Sequence, residues 1–145
     1  MTATRPELKF HHAGISVPDL EASIDWYREV LGFELAQRIA IDAIPAKVAM
    51  LQRGPLRIEL FEVQGATTAH DDRRHPNRDP HTLGNKHVAF AVKDVDAMVA
   101  ELKARGADIV FSARMPFGAF CFIRDNAGTL IEFVEQADLF EDRAQ

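Results

Sequence analysis

Along residues 10–17, FHHAGISV, apolar and small or polar positions alternate: Ala13, Ile15 and Val17 fall on one side, His12, Gly14 and Ser16 on the other. A period of two predicts a strand with one covered face. The spacing then changes. Leu20, Ile24, Tyr27 and Leu31 recur three or four residues apart and predict one buried stripe of a helix, with Asp19 as N-cap and Gly32 as its stop. Three strand-like stretches follow, at 33–41, 46–53 and 56–63, and Gly54-Pro55 marks a hairpin turn between the last two.

The second half repeats this order. Residues 86–92 predict a strand, Asp94 caps a helix with Val95, Met98, Val99 and Leu102 on its apolar stripe, and Gly106 ends it. Strands are expected at 107–112, 117–124 and 128–135, with Asp125-Asn126-Ala127-Gly128 as the last turn and an acidic surface tail from Gln136. HHAGISVPDLEASIDWY is echoed by KHVAFAVKDVDAMVAEL, and IELFE at Ile58 by IEFVE at Ile131. His12 and His87 are 75 residues apart, Glu59 and Glu132 are 73 apart, and such near-equal offsets mark a duplicated unit. The expected fold class is α+β: two tandem βαβββ modules, about 8–63 and 86–135, in a single domain spanning 1–145. The connecting stretch 64–85 has almost no apolar periodicity and predicts a long loop, of a length that is often functional.

Alternation also sorts the chemistry. His12 and His87 each head a row of small residues on the face opposite the helix-packed one, leaving room beside the imidazole. Ile58 and Leu60 belong to the packed face and Glu59 to the other; Ile131 and Phe133 bracket Glu132 in the same way. A carboxylate set mid-strand among apolar neighbours needs a cation, a hydrogen-bond partner or a proton. His12, Glu59, His87 and Glu132 together offer two imidazoles and two carboxylates, a set that neutralises a divalent ion. Ni, Co, Zn, Fe and Mn all suit such mixed nitrogen and oxygen ligands. His11 should point to the other face, and His70, His75 and His81 lie in the long loop.

Composition narrows the remainder. A formal charge of −5 argues against nucleic acid as partner. The basic cluster at Arg73 and Arg74 is ringed by Asp71, Asp72 and Asp79, and is expected to be a solvated loop. The lone Cys121, between Phe120 and Phe122, predicts a buried inert thiol. No stretch has the length of a signal peptide core or a membrane span, so a cytoplasmic protein without membrane contact is expected.

The sequence resembles the vicinal oxygen chelate superfamily, and most closely its glyoxalase I-like branch. The resemblance runs from residue 10 to about 135 and rests on HHAGISVPDLEASIDWYREVLGFE, KHVAFAVKDVDAMVAELKARGADI and FIRDNAGTLIEFVE. It implies a curled mixed sheet with helices outside, one divalent metal on His12, Glu59, His87 and Glu132, and a homodimer acting on a small-molecule substrate. It further implies a lyase or isomerase: two adjacent substrate oxygens chelated, a proton removed from carbon, an enediolate formed, and Glu132, or else Glu59, as the base. The glutathione-contacting positions of that branch are not recognisable, since Ser16 and Val63 stand where an arginine and an asparagine are sought. The alternatives are an Fe(II)-dependent extradiol-type dioxygenase, a coenzyme A thioester epimerase, or a drug- or metabolite-binding resistance protein.

Overall fold

The computed structural model describes residues 4–141. Eight strands and two helices form the two βαβββ units. In the first, β1 (Ala13–Ser16) leads to α1 (Leu20–Leu31) and then to β2 (Glu34–Ile39), β3 (Ala46–Arg53) and β4 (Leu56–Val63). In the second, β5 (Val88–Val92) leads to α2 (Val95–Ala104), β6 (Asp108–Met115), β7 (Gly118–Arg124) and β8 (Leu130–Glu135). Each unit makes its own four-stranded sheet, ordered β1-β4-β3-β2 and β5-β8-β7-β6. The first and last strands of each unit pair in parallel, and the other pairs are antiparallel.

Helix boundaries follow local chemistry. The Asp19 carboxylate accepts the Ala22 N–H, and the Asp94 carboxylate accepts that of Ala97. Gly32 closes α1 at φ 69°, a conformation glycine enters without a Cβ clash. A second carboxylate serves each helix start: Glu62 accepts the Leu20 N–H at 2.7 Å, and Glu135 accepts the Val95 N–H at 3.1 Å. These are the closing glutamates of IELFE and IEFVE, so the echo carries helix capping as well as strand pattern.

Ile58, Leu60, Ile131 and Phe133 are buried, together with Leu20, Ile24, Tyr27 and Leu31 of α1 and with Val95 and Leu102 of α2, in one hydrophobic cluster drawn from both units. The units dock through polar contacts too. The Tyr27 hydroxyl donates to Asp125 at 2.8 Å, Ser23 donates to Asn126 at 3.1 Å, and the Arg105 guanidinium donates to the Glu29 carbonyl at 2.8 Å. The shared core lies against the helix-bearing faces of both sheets. By strand alternation the opposite faces, which carry Glu59 and Glu132, turn away from it.

Several expectations need adjustment. Strand β1 begins at Ala13 and β5 at Val88, so His12 and His87 each lie one residue before their strand. The stretch 64–85 is not featureless: 3-10 turns form at Asp71–Arg74 and Asp79–His81. The tail from Gln136 folds into a further 3-10 turn at Ala137–Phe140. The basic cluster is not simply solvated, because Asp79 is only 1% exposed and anchors Arg73 and Lys86. Cys121 is buried and free, as its neighbours suggest. Among the described residues no helix is long and apolar enough to cross a membrane.

Candidate metal centre

Parallel pairing of β1 with β4 sets Gly14 opposite Glu59, and pairing of β5 with β8 sets Ala89 opposite Glu132. Each histidine lies two residues before that small residue, hence on the same face as the glutamate. Gly14 has no side chain and Ala89 only a methyl group, so neither reaches between imidazole and carboxylate. His12 Nε2 comes to 3.8 Å from Glu59 Oε1, and His87 Nε2 to 2.8 Å from Glu132 Oε2. The same construction thus appears twice, once in each unit.

The neighbours of the pairs are largely apolar. Met50 lies beside Glu59 in the β3–β4 register, and Phe122 beside Glu132 in the β7–β8 register. The Phe122 ring meets His87 edge-on at 4.9 Å, and an aromatic row continues through Phe120 to the exposed Phe117. The Phe61 ring, on the first unit's open face, lies 3.5 Å from where a Cβ on Gly14 would sit. The glutamate side chains are 16% and 19% exposed and the histidines 35% and 28%, so both pairs are open to solvent in the single chain.

His11 departs from its expected separation from the pair. Its Nδ1 hydrogen-bonds Nδ1 of His12 at 2.7 Å, leaving Nε2 of His12 for Glu59. Neighbours of this kind fix tautomer and ring orientation in metal-binding histidines. Nothing in strand alternation signals the contact, because both residues precede the strand. His70 and His75 bond within the loop or to Arg124, away from both pairs. Arg124 also pairs with Asp108.

The donor chemistry suits a divalent ion. Two ligand atoms about 2.1 Å from one ion at roughly a right angle stand about 3 Å apart, and the two observed separations bracket that distance. Each pair, however, supplies only half a ligand set. Among the described residues no three His, Cys, Asp or Glu side chains of the chain come close enough to hold one ion. A concavity of about 540 Å³ between the units, lined by Leu31, Phe33, Phe90, Met98 and Phe133, contains neither pair.

Comparison with known proteins agrees with this architecture. The family model described as Glyoxalase/Bleomycin resistance protein/Dioxygenase superfamily matches residues 9–133. A 2-epi-5-epi-valiolone epimerase from Actinomyces sp is 36% identical over 110 residues, covering 66% of this chain and 57% of that protein; the chain thus spans little more than half the length of that relative. A lactoylglutathione lyase from Pseudomonas aeruginosa is 25% identical, covering 92% of this chain and 85% of that one. The crystal structure of a glyoxalase family protein from Enterococcus faecalis superimposes with a TM-score of 0.74 at 23% identity, over 88% of this chain and 97% of that one, a likeness of fold. Two matched βαβββ units, each with one histidine and one glutamate on its open face, and a family match across nearly the whole length lead to one conclusion: the chain belongs to the Glyoxalase/Bleomycin resistance protein/Dioxygenase superfamily.

Proposed function

We propose that the protein is a metal-dependent enzyme of the lyase or isomerase type, moving a proton at a carbon next to a carbonyl. Two copies of the chain form its site. The His12–Glu59 pair of one copy faces the His87–Glu132 pair of the other, and the four side chains hold one divalent ion. The observation that carries this reading is the repeated pair: the same residues in the same register on two open faces that turn away from the shared core. A half-site exposed in one chain and completed by symmetry is the usual logic of a twofold assembly. Epimerase and lyase relatives both support proton transfer as the common chemistry.

A bound divalent ion would supply Lewis acidity toward the substrate carbonyl oxygen. The chain's own residues do the rest. Glu132 is the proposed base: its carboxylate lies beside His87 on the open face, flanked by Phe122, which limits water around it. Glu59 occupies the equivalent place in the other unit and is the second candidate. His87 orients Glu132 through the 2.8 Å contact, and the aromatic row from Phe122 to Phe120 offers an apolar wall to the substrate.

The test combines assembly, metal and exchange. Purified protein should be dimeric and carry about one metal per chain. In deuterated water it should wash deuterium into the product from a glutathione–methylglyoxal hemithioacetal, or into an epimerisable thioester or cyclic polyol ketone, with no oxygen uptake. Oxygen consumption with Fe(II) and a catechol would point instead to a dioxygenase. Metal-free protein with no gain in thermal stability on adding Ni or Co would point to a binding module.

A further inference from the structure

The loop between the two units builds a second cavity, of about 330 Å³, against the end of β1 and the β7–β8 turn. Its wall carries three cations, Arg73, Arg74 and Lys86, and four hydroxyl-bearing residues, Ser16, Thr67, Thr68 and Thr129. In a chain with a formal charge of −5 this is an unusual concentration of positive charge.

Two of the cations are held from behind. Asp79 is 1% exposed; its Oδ1 takes the Arg73 guanidinium at 3.0 Å and stands 3.8 Å from Lys86 Nζ. Arg73 also donates to the Asn85 carbonyl at 2.8 Å, and Lys86 to the carbonyls of Asp79 and Thr82. The other Asp79 oxygen is buried with no hydrogen-bond partner among the described residues, so this carboxylate is retained at a cost. One carboxylate between two cations leaves a net positive charge, in side chains already ordered before any ligand arrives.

Arg74 is the third wall. Its guanidinium lies flat against Gly128, where a Cβ would come within 2.8 Å of Arg74 Cζ. The backbone there has φ +90°, so glycine is required on both counts. Among the described residues no carboxylate comes within ion-pair distance of Arg74, unlike its loop neighbour Arg78, which pairs with Asp71 and Asp72.

We propose that this cavity binds the phosphate group of a small phosphorylated molecule. Three cationic side chains and four hydroxyl-bearing residues exceed what the two oxygens of a carboxylate can use, and suit a tetrahedral oxyanion with three terminal oxygens. The volume lies at the lower end of small-molecule cavities, roughly 300–1,000 Å³, and leaves room for a carbon skeleton beyond the phosphate. The site is separate from the His–Glu pairs and does not depend on the metal reading.

The test titrates the full-length protein with glycerol 3-phosphate, inorganic phosphate and succinate at constant ionic strength. Backbone amide shifts and calorimetry provide the readouts. Saturable binding of phosphate, with shifts at Thr67, Thr68 and Thr129, is expected. Arg74→Ala should weaken it about tenfold or more, while Arg78→Ala, outside the cavity, should change it less than about twofold. Tighter binding of glycerol 3-phosphate than of inorganic phosphate identifies an organic ligand as the source, and equal binding identifies the free ion. Absence of saturable phosphate binding, succinate binding as tightly as phosphate, or equal losses in the Arg74 and Arg78 variants would overturn the proposal. Arg74 is exposed and unpaired among the described residues, so its truncation leaves the fold intact, which a thermal melt verifies.

Discussion

The Tyr27 hydroxyl donates to a buried oxygen of Asp125 across 2.8 Å, joining helix α1 of the first unit to the β7–β8 turn of the second. The other Asp125 oxygen accepts the N–H groups of Ala127 and Thr129, each at 2.9 Å. One carboxylate therefore shapes the turn and docks the helix. Tyr27→Phe should lower stability by about 1.5–3 kcal/mol, the net value of one buried hydrogen bond to a charged group. Asp125→Ala should cost on the order of 3 kcal/mol, because it strands a buried hydroxyl and two N–H groups. Urea unfolding of the variants measures both, and equal stability of Asp125→Ala and wild type would remove this docking role.

Two carboxylates should give opposite pH signatures. Burial raises the Asp125 carboxyl above its ordinary 3.8, even though Thr129, Tyr27 and Ala127 hydrogen-bond to it. Its contribution is present in full below 3.8 and is lost as pH rises through its folded value. Glu135 is the reverse. The Val95 N–H, and then Arg114, hold its carboxyl below the ordinary 4.5. Its contribution is present above 4.5 and is lost as pH falls through its folded value. Thermal melts across pH should thus show Glu135→Gln less stable than wild type at pH 7, with the gap closing in acid. They should show the stability of Asp125→Asn relative to wild type improving as pH rises from 3.8. A pH-independent difference in either variant would contradict the assignment.

Under the proposed mechanism, Glu132→Gln keeps an oxygen donor but removes the proposed base. Deuterium exchange into the substrate should fall about 10²–10⁴-fold while most metal remains bound. Glu59→Gln should lose less exchange. A reversed order, with Glu59→Gln the more damaging, would move the base to the first unit.

Much of this was legible in the sequence, because two periodicities and one repeat are local properties. Alternation placed Ile58 and Leu60 in the core and Glu59 on the other face, and Ile131, Phe133 and Glu132 likewise. Asp19, Asp94 and Gly32 bounded their helices through side-chain and backbone rules that act within a few residues. What alternation does not encode is how the units dock. The Tyr27–Asp125 bond and the shared cluster are long-range contacts, and they turn the two glutamate-bearing faces apart. Asp79 was likewise hidden, because burial of one carboxylate in a polar loop depends on cations that arrive from residues 73 and 86. Glu62 and Glu135 were half visible: the echo repeats them at the same spacing as the Glu59–Glu132 pair, but not the helix N–H groups that they meet.

In the proposed assembly, pairs from two copies complete one metal site, and subunit mixing probes that arrangement. Two double variants, His12→Ala with Glu59→Ala and His87→Ala with Glu132→Ala, should each bind almost no metal alone. After mixing and subunit exchange, half of the dimers are mixed, and each of these has one intact site and one lacking all four ligands, so about a quarter of wild-type metal should return. No recovery of metal in a mixture shown to contain mixed dimers would contradict a site shared between copies.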